Sequence, residues 1–129
     1  SWNGESSDFV TVRPDFAAST AKFTATGVSG RLAFSVIDLD YDKDLRLEWS
    51  TDDWKTTTVF GMGSPGDKNK LSWDSNQGND FDRWVIDLDI PGSFANFRYR
   101  LVYKHGVVAG AESVEFVGGG TSGYWMPKT

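Results

Sequence analysis

The sequence predicts an all-β fold, an antiparallel β-sandwich of about eight strands, and three observations predict it. Apolar residues recur at every second position in several separate runs, clusters of Gly, Pro, Asn and Asp divide those runs, and no window sustains a helical period. In chain order, residues 9–13 (F-V-T-V-R) and 22–26 (K-F-T-A-T) read as short strands rich in β-branched and aromatic residues. Residues 27–30 (G-V-S-G) read as a turn. Within 31–36, Leu32, Phe34 and Val36 share a face; within 44–49, Leu45, Leu47 and Trp49 do. Residues 56–60 (T-T-T-V-F) form a weaker candidate. In 83–89, Trp84, Ile86 and Leu88 point one way and Val85, Asp87 and Asp89 the other. In 97–104, Phe97, Tyr99, Leu101 and Tyr103 alternate with Arg98, Arg100, Val102 and Lys104, and 113–117 (S-V-E-F-V) completes the set. Such alternation is that of half-buried strands with one face on a core.

Two segments resist this reading. Residues 61–82 contain a convincing strand only around 71–73, so the remainder is expected to be a long functional or mobile loop. The run Gly118-Gly119-Gly120 reads as a C-terminal tether.

The 129 residues suit one domain, 1–129, which is either a mature secreted protein or a module excised from a larger chain. An extracellular location is the expectation. Thirteen basic against 18 acidic residues give a net charge of -5, and the basic ones are scattered, which disfavours a nucleic-acid partner. No apolar run approaches the roughly 18 to 20 residues of a membrane span, so no membrane partner is expected. The absence of cysteine excludes disulfides and thiolate metal sites.

Catalytic patterns are missing. There is no phosphate-binding Gly-rich loop, no dinucleotide fingerprint and no zinc-protease helix motif, and the one imidazole, His105, reads as a hairpin residue beside Gly106. Acidic residues alternate through 38–44, but Lys43 stands where a calcium-binding loop needs Gly and Trp49 where it needs Glu. No enzyme activity, cofactor or metal is expected.

The aromatic residues carry the functional signal. Trp49 and Trp84 continue apolar faces and read as core. Trp54 does not, because Asp52 and Asp53 precede it and Lys55 to Thr58 follow. An indole in that setting can cap one end of the sandwich or serve as a flat platform for a sugar ring, whose C–H groups stack on the aromatic face while its hydroxyls meet nearby polar groups. Tyr41 has a similar setting among Asp38, Asp40, Asp42 and Asp44, and Trp73 opens W-D-S-N-Q-G-N-D, where Asn76 is one of several amides and carboxylates.

Residues 40–56, D-Y-D-K-D-L-R-L-E-W-S-T-D-D-W-K-T, resemble the starch- and glycogen-binding carbohydrate-binding modules of family 21. That family places an aromatic and a Lys before a strand that leads into T-x-D-x-W; Tyr41, Lys43, Thr51, Asp53 and Trp54 follow it loosely. Residues 82–91 (D-R-W-V-I-D-L-D-I-P) and 97–106 (F-R-Y-R-L-V-Y-K-H-G) resemble two further strands of the family, so the resemblance covers roughly residues 28–106. It implies an immunoglobulin-like antiparallel β-sandwich and a non-catalytic module that holds an α-glucan such as starch or glycogen. The implied contacts are stacking on Trp54 and Tyr41, with Lys43, Asp53, Trp73 and Asn76 contributing around them. The partner is then a poly- or oligosaccharide, and a tethered catalytic domain is a natural companion. The family's aromatic-Asp-Asn-Asn segment, expected after residue 106, is replaced by V-V-A-G-A-E-S-V-E-F; a run of similar composition, W-D-S-N-Q-G-N-D-F, stands at 73–81 instead. Another glycan such as a β-glucan, or a protein partner for an immunoglobulin-like domain, are the alternatives.

Overall fold

The computed structural model describes residues 12–38, 43–105, 114–119 and 122–129. Among them are ten strands in two antiparallel sheets: β1 (Val12–Pro14), β2 (Lys22–Thr24), β3 (Gly27–Ile37), β4 (Lys43–Ser50), β5 (Thr58–Phe60), β6 (Leu71–Gly78), β7 (Phe81–Pro91), β8 (Arg98–His105), β9 (Val114–Gly118) and β10 (Tyr124–Trp125). One sheet runs β1-β3-β7-β6, with β2 also on β3; the other runs β10-β8-β4-β5, with β9 also on β8. The chain is therefore the β-sandwich that its alternation predicts, with two strands more than expected, the eight-residue β6 and the two-residue β10.

The inner faces are those read from the period-two pattern. Leu32, Phe34, Val36, Ile86 and Leu88 of the first sheet meet Leu45, Leu47, Tyr99, Leu101 and Tyr103 of the second in one buried cluster, and Trp49 and Trp84 pack on its margin. Phe34 meets Tyr99 edge to face, with centroids 6.2 Å apart, so the two central strands interlock through aromatic rings. Each fully buried Phe or Leu of this kind contributes about 1.5–3 kcal/mol. On the outer face of the first sheet, Arg31 holds Asp87 in a two-bond fork at 2.8 and 3.1 Å. That bond and the charge of Arg31 hold the Asp87 carboxyl below its usual value.

Three expectations are corrected. Residues 27–30 are not a turn but the first part of β3; Gly27 and Gly30 sit at φ 140 and 108, conformations closed to side chains, and the pairing with β7 continues through both. The polar run after Trp73 is not a loop but the body of β6, an edge strand whose exposure and two bulges, around Asp74 and Gln77, conceal its period. It turns into β7 through Asn79 and Asp80, both at positive φ, the conformation of a tight hairpin turn. Finally, the chain after Gly118 is not a tether: Gly123 N–H reaches Gly119 C=O at 3.1 Å, β10 joins β8, and Thr129 N–H reaches Phe23 C=O at 2.8 Å.

The connection from β5 to β6 is likewise tied down. Leu71 N–H donates to Gly61 C=O at 2.9 Å and Leu71 C=O accepts from Gly63 N–H at 2.9 Å, while Asn69 N–H donates to Asp87 C=O at 2.8 Å. Residues 68–69 thus extend the pairing along β7 beyond the start of β6. Hydrogen exchange checks this: the amides of Gly63, Asn69 and Leu71 should exchange far more slowly than that of Gly66 at the tip, whereas a mobile loop would give uniformly fast exchange across 61–70.

Candidate functional site

The connection between β4 and β5 positions Trp54. Asp53 and Trp54 both lie in the left-handed region, at φ 55 and 66, where a side chain is disfavoured. Local hydrogen bonds hold them there. Ser50 Oγ accepts from the N–H of Asp52 and of Trp54 at 3.2 and 2.9 Å, and itself donates to the Asp52 carboxylate at 2.7 Å. The same carboxylate accepts from Thr56 N–H at 3.0 Å and from Thr56 Oγ1 at 2.7 Å. These donors, the Thr56 hydroxyl foremost, pull the Asp52 carboxyl down to about 2.

So placed, the Trp54 ring lies over the Arg100 guanidinium at 4.2 Å, and its indole N–H donates to Ser122 C=O at 2.8 Å. A Cβ on Gly123 would come within 2.8 Å of the Trp54 ring, so the contact requires glycine there. Arg100 is in turn held by Glu48 at 2.7 Å, with both side chains largely buried. Trp54 thus clamps the β4–β5 turn to the returning C-terminal segment, with one face and its N–H occupied.

Beside this clamp stands an indole that sequence reasoning passed over. Trp125, on β10, is 64% exposed. It pairs in register with Arg98, whose guanidinium lies 5.6 Å from the Trp125 ring centroid. Arg98 Nε faces Asp53 Oδ1 at 3.3 Å, and Asp53 N–H reaches Asn96 Oδ1 at 3.4 Å. An open aromatic face, a guanidinium, a carboxylate and an amide are therefore gathered at one end of the sandwich.

The six residues singled out in the sequence do not form one site. Trp54 and Asp53 lie at this end. Lys43 starts β4, and the eight-residue strand puts it roughly 23 Å from Ser50. It is ion-paired with Asp38, whose N–H donates to Asp80 C=O at 2.8 Å, so it belongs with the β6–β7 turn at the opposite end. Asn76 is at that end too, with its amide committed to the hairpin: Nδ2 donates to Asp82 at 3.1 Å and Oδ1 accepts from Gly78 N–H at 3.0 Å. Trp73 is 51% exposed on the β6 edge, opposite Trp84. Tyr41 lies outside the described residues, as do Asp40 and Asp42. Among the described residues, no group of three or more His, Cys, Asp or Glu side chains is placed to hold a metal ion.

No protein-family model matches the chain, and no curated protein matches its sequence. The resemblance to family 21 rests on the quoted residues alone.

The Asp52 network gives a signed expectation. Its carboxyl lies below the ordinary value of 3.8, so its stabilisation of the turn is complete above the ordinary carboxylate range and is lost as the pH falls through about 2. Followed by NMR from about pH 5 to about pH 1, the Trp54 indole N–H and the Thr56 amide should move with a midpoint near 2. A midpoint at the ordinary value would mean that the hydroxyl and amide donors do not hold the carboxylate. Asp52→Ala should abolish the step.

Proposed function

We propose that the chain is a non-catalytic carbohydrate-binding β-sandwich that holds a poly- or oligosaccharide by stacking a sugar ring on an exposed indole, with an α-glucan such as starch or glycogen as the expected ligand. The observation that carries this reading is the setting of Trp125. Its large exposed ring lies against the Arg98 guanidinium, Arg98 faces Asp53, and the Asp53 N–H reaches Asn96, so a chain of polar groups able to meet sugar hydroxyls leads away from the indole. An indole face takes the C–H side of a pyranose, and guanidinium, carboxylate and amide groups supply donors and acceptors to its rim. In this reading Trp54 and Asp53 belong to the site: Asp53 orients Arg98, and Trp54 fixes the turn that carries Asp53.

The ionisable groups there are engaged with one another, Asp53 with Arg98 and Glu48 with Arg100, which fits holding a ligand better than proton transfer. A single open platform binds weakly, and useful avidity comes from tethering to a catalytic domain or from several contacts along one glycan. Trp73, on the other sheet's edge, is a candidate for a second such contact.

Affinity electrophoresis through gels containing starch, glycogen, β-1,3-glucan or xylan tests the proposal, with Trp125→Ala and Trp73→Ala run beside the parent chain. Retardation by an α-glucan that weakens about tenfold in Trp125→Ala, equivalent to about 1.4 kcal/mol, is the expected result. Retardation by another glycan with the same dependence keeps the platform and changes its ligand. Unchanged retardation in a folded Trp125→Ala removes Trp125 from the site, and no retardation in any gel transfers these indoles to a protein partner.

A further inference from the structure

We propose that a notch on the outer face of the first sheet is a second, separate binding site, for a single uncharged polyhydroxy unit such as one pyranose ring. It lies where the β2–β3 turn meets the end of β7, has a volume of about 160 Å³, and is lined by Thr24, Thr26, Gly27, Ser29, Asp89 and Pro91 together with the aliphatic Val28 and Ile90. The assignment does not depend on Trp125, which is on the other sheet.

The concavity is built into the ladder. Gly27 pairs with Pro91 at φ 140, and a Cβ there would fall 2.2 Å from the Ile90 carbonyl oxygen, so only glycine allows the two strands to approach this closely beside the notch. One wall is held by Thr24, whose Oγ1 lies 3.2 Å from Thr26 Oγ1 and 3.4 Å from Gly27 C=O. The opposite wall is fixed through the backbone of Asp89: Asn69 Oδ1 accepts its N–H at 2.8 Å, and Asn69 Nδ2 donates to its C=O at 3.1 Å. That clamp spends the Asn69 side chain on the Asp89 main chain and leaves the carboxylate itself uncommitted. Neither the Asp89 carboxylate nor the Ser29 hydroxyl has a hydrogen-bond or ion-pair partner among the described residues. Ser29 and Asp89 are register partners on β3 and β7, so the two groups stand side by side on one face.

The lining selects the ligand class by elimination. An apolar guest would strip water from a carboxylate and three hydroxyls without replacing its hydrogen bonds. An anion would meet Asp89 with no Lys or Arg among the lining residues to offset it. A calcium ion gathers about six to eight oxygens, usually with several carboxylates, and the notch supplies one carboxylate. A polyol fits each group: adjacent hydroxyls donate to Asp89, the Thr and Ser hydroxyls serve as donor or acceptor, and the Pro91 ring meets C–H groups. Pockets for drug-sized ligands run to roughly 300–1,000 Å³. A notch of 160 Å³ therefore suits one ring rather than a stretch of oligosaccharide.

The test is a two-dimensional amide NMR titration of the full chain with glucose, galactose and xylose separately, at millimolar concentrations, repeated for Asp89→Ala, Ser29→Val and Trp125→Ala. The expected result is saturable shifts of amides in 24–29 and of the Asp89, Ile90 and Gly92 amides for at least one sugar, retained in Trp125→Ala. Removing Asp89 or Ser29 should raise Kd about tenfold, the loss expected for a hydrogen bond of this kind. Absence of saturable shifts at those amides with all three sugars overturns the proposal, as does an unchanged Kd in both notch variants. Shifts confined to residues around Trp125 reject the notch and leave the indole reading standing; shifts confined to the notch do the reverse.

Discussion

Phe97, the residue immediately before β8, is the joint on which the candidate site is built. It is fully buried and meets Phe23 of the first sheet at 6.4 Å, and Trp49 and Tyr99 of the second at 5.7 and 6.0 Å. It also accepts the Met126 N–H on its carbonyl at 3.0 Å. One residue thus closes the end of the sandwich, sets the first residue of β8 and anchors the returning C-terminal segment. Arg98 and Trp125 are placed by that anchoring: each is one step along the chain from a residue held by Phe97 or its neighbours. Tyr124 continues the stack on Tyr99 at 5.6 Å, and the surrounding rings push the Tyr99 phenol well above its usual value by burial.

Energy at this end is divided between two kinds of interaction. The aromatic packing inside is insensitive to salt and supplies most of the stabilisation. The polar layer outside contributes little net stability where it is exposed, as in the Asp53–Arg98 pair. The Glu48–Arg100 pair is different because both groups are largely buried. Loss of one partner from such a pair costs about 3–5 kcal/mol, since a charge remains in a poorly solvated place. Trp54 covers that pair from above, which explains an indole in a polar turn without reference to any ligand: it shields a buried ion pair and fastens a strand end.

Much of the fold was legible because alternation in the long strands is strict. Leu45, Leu47 and Trp49, or Phe97, Tyr99, Leu101 and Tyr103, cannot be read on any other period, and all are inward-facing or on the core margin. Legibility failed where local chemistry and tertiary role diverge. Gly27 and Gly30 carry turn composition yet serve a strand in close approach to its neighbours. Asp74 to Gln77 carry loop composition because this part of the edge strand is exposed at nearly every position, on both faces, and needs no apolar residues. The site was legible only in part, for a related reason. Trp54 stands out of phase in the sequence, and Ser50, Asp52 and Thr56 signal a side-chain-capped turn around it. The setting of Trp125 depends on β10 pairing with a strand some 25 residues earlier in the chain, and the notch depends on β2, β3 and β7 meeting. Neither leaves a local pattern.

The two bulges in β6 have a consequence for how molecules of this chain behave toward one another. An open sheet edge is a template on which a second molecule can add a strand, and runs of such additions are the route to fibrils and precipitates. Along β6 the register breaks twice within six residues, between Trp73 and Ser75 and again between Asn76 and Gly78. A straight incoming strand can match the ladder on either side of a break but not across it. The edge that bears an exposed indole is therefore a poor seed for polymerisation, and Trp73 can stay in solvent without drawing further strands onto the sheet.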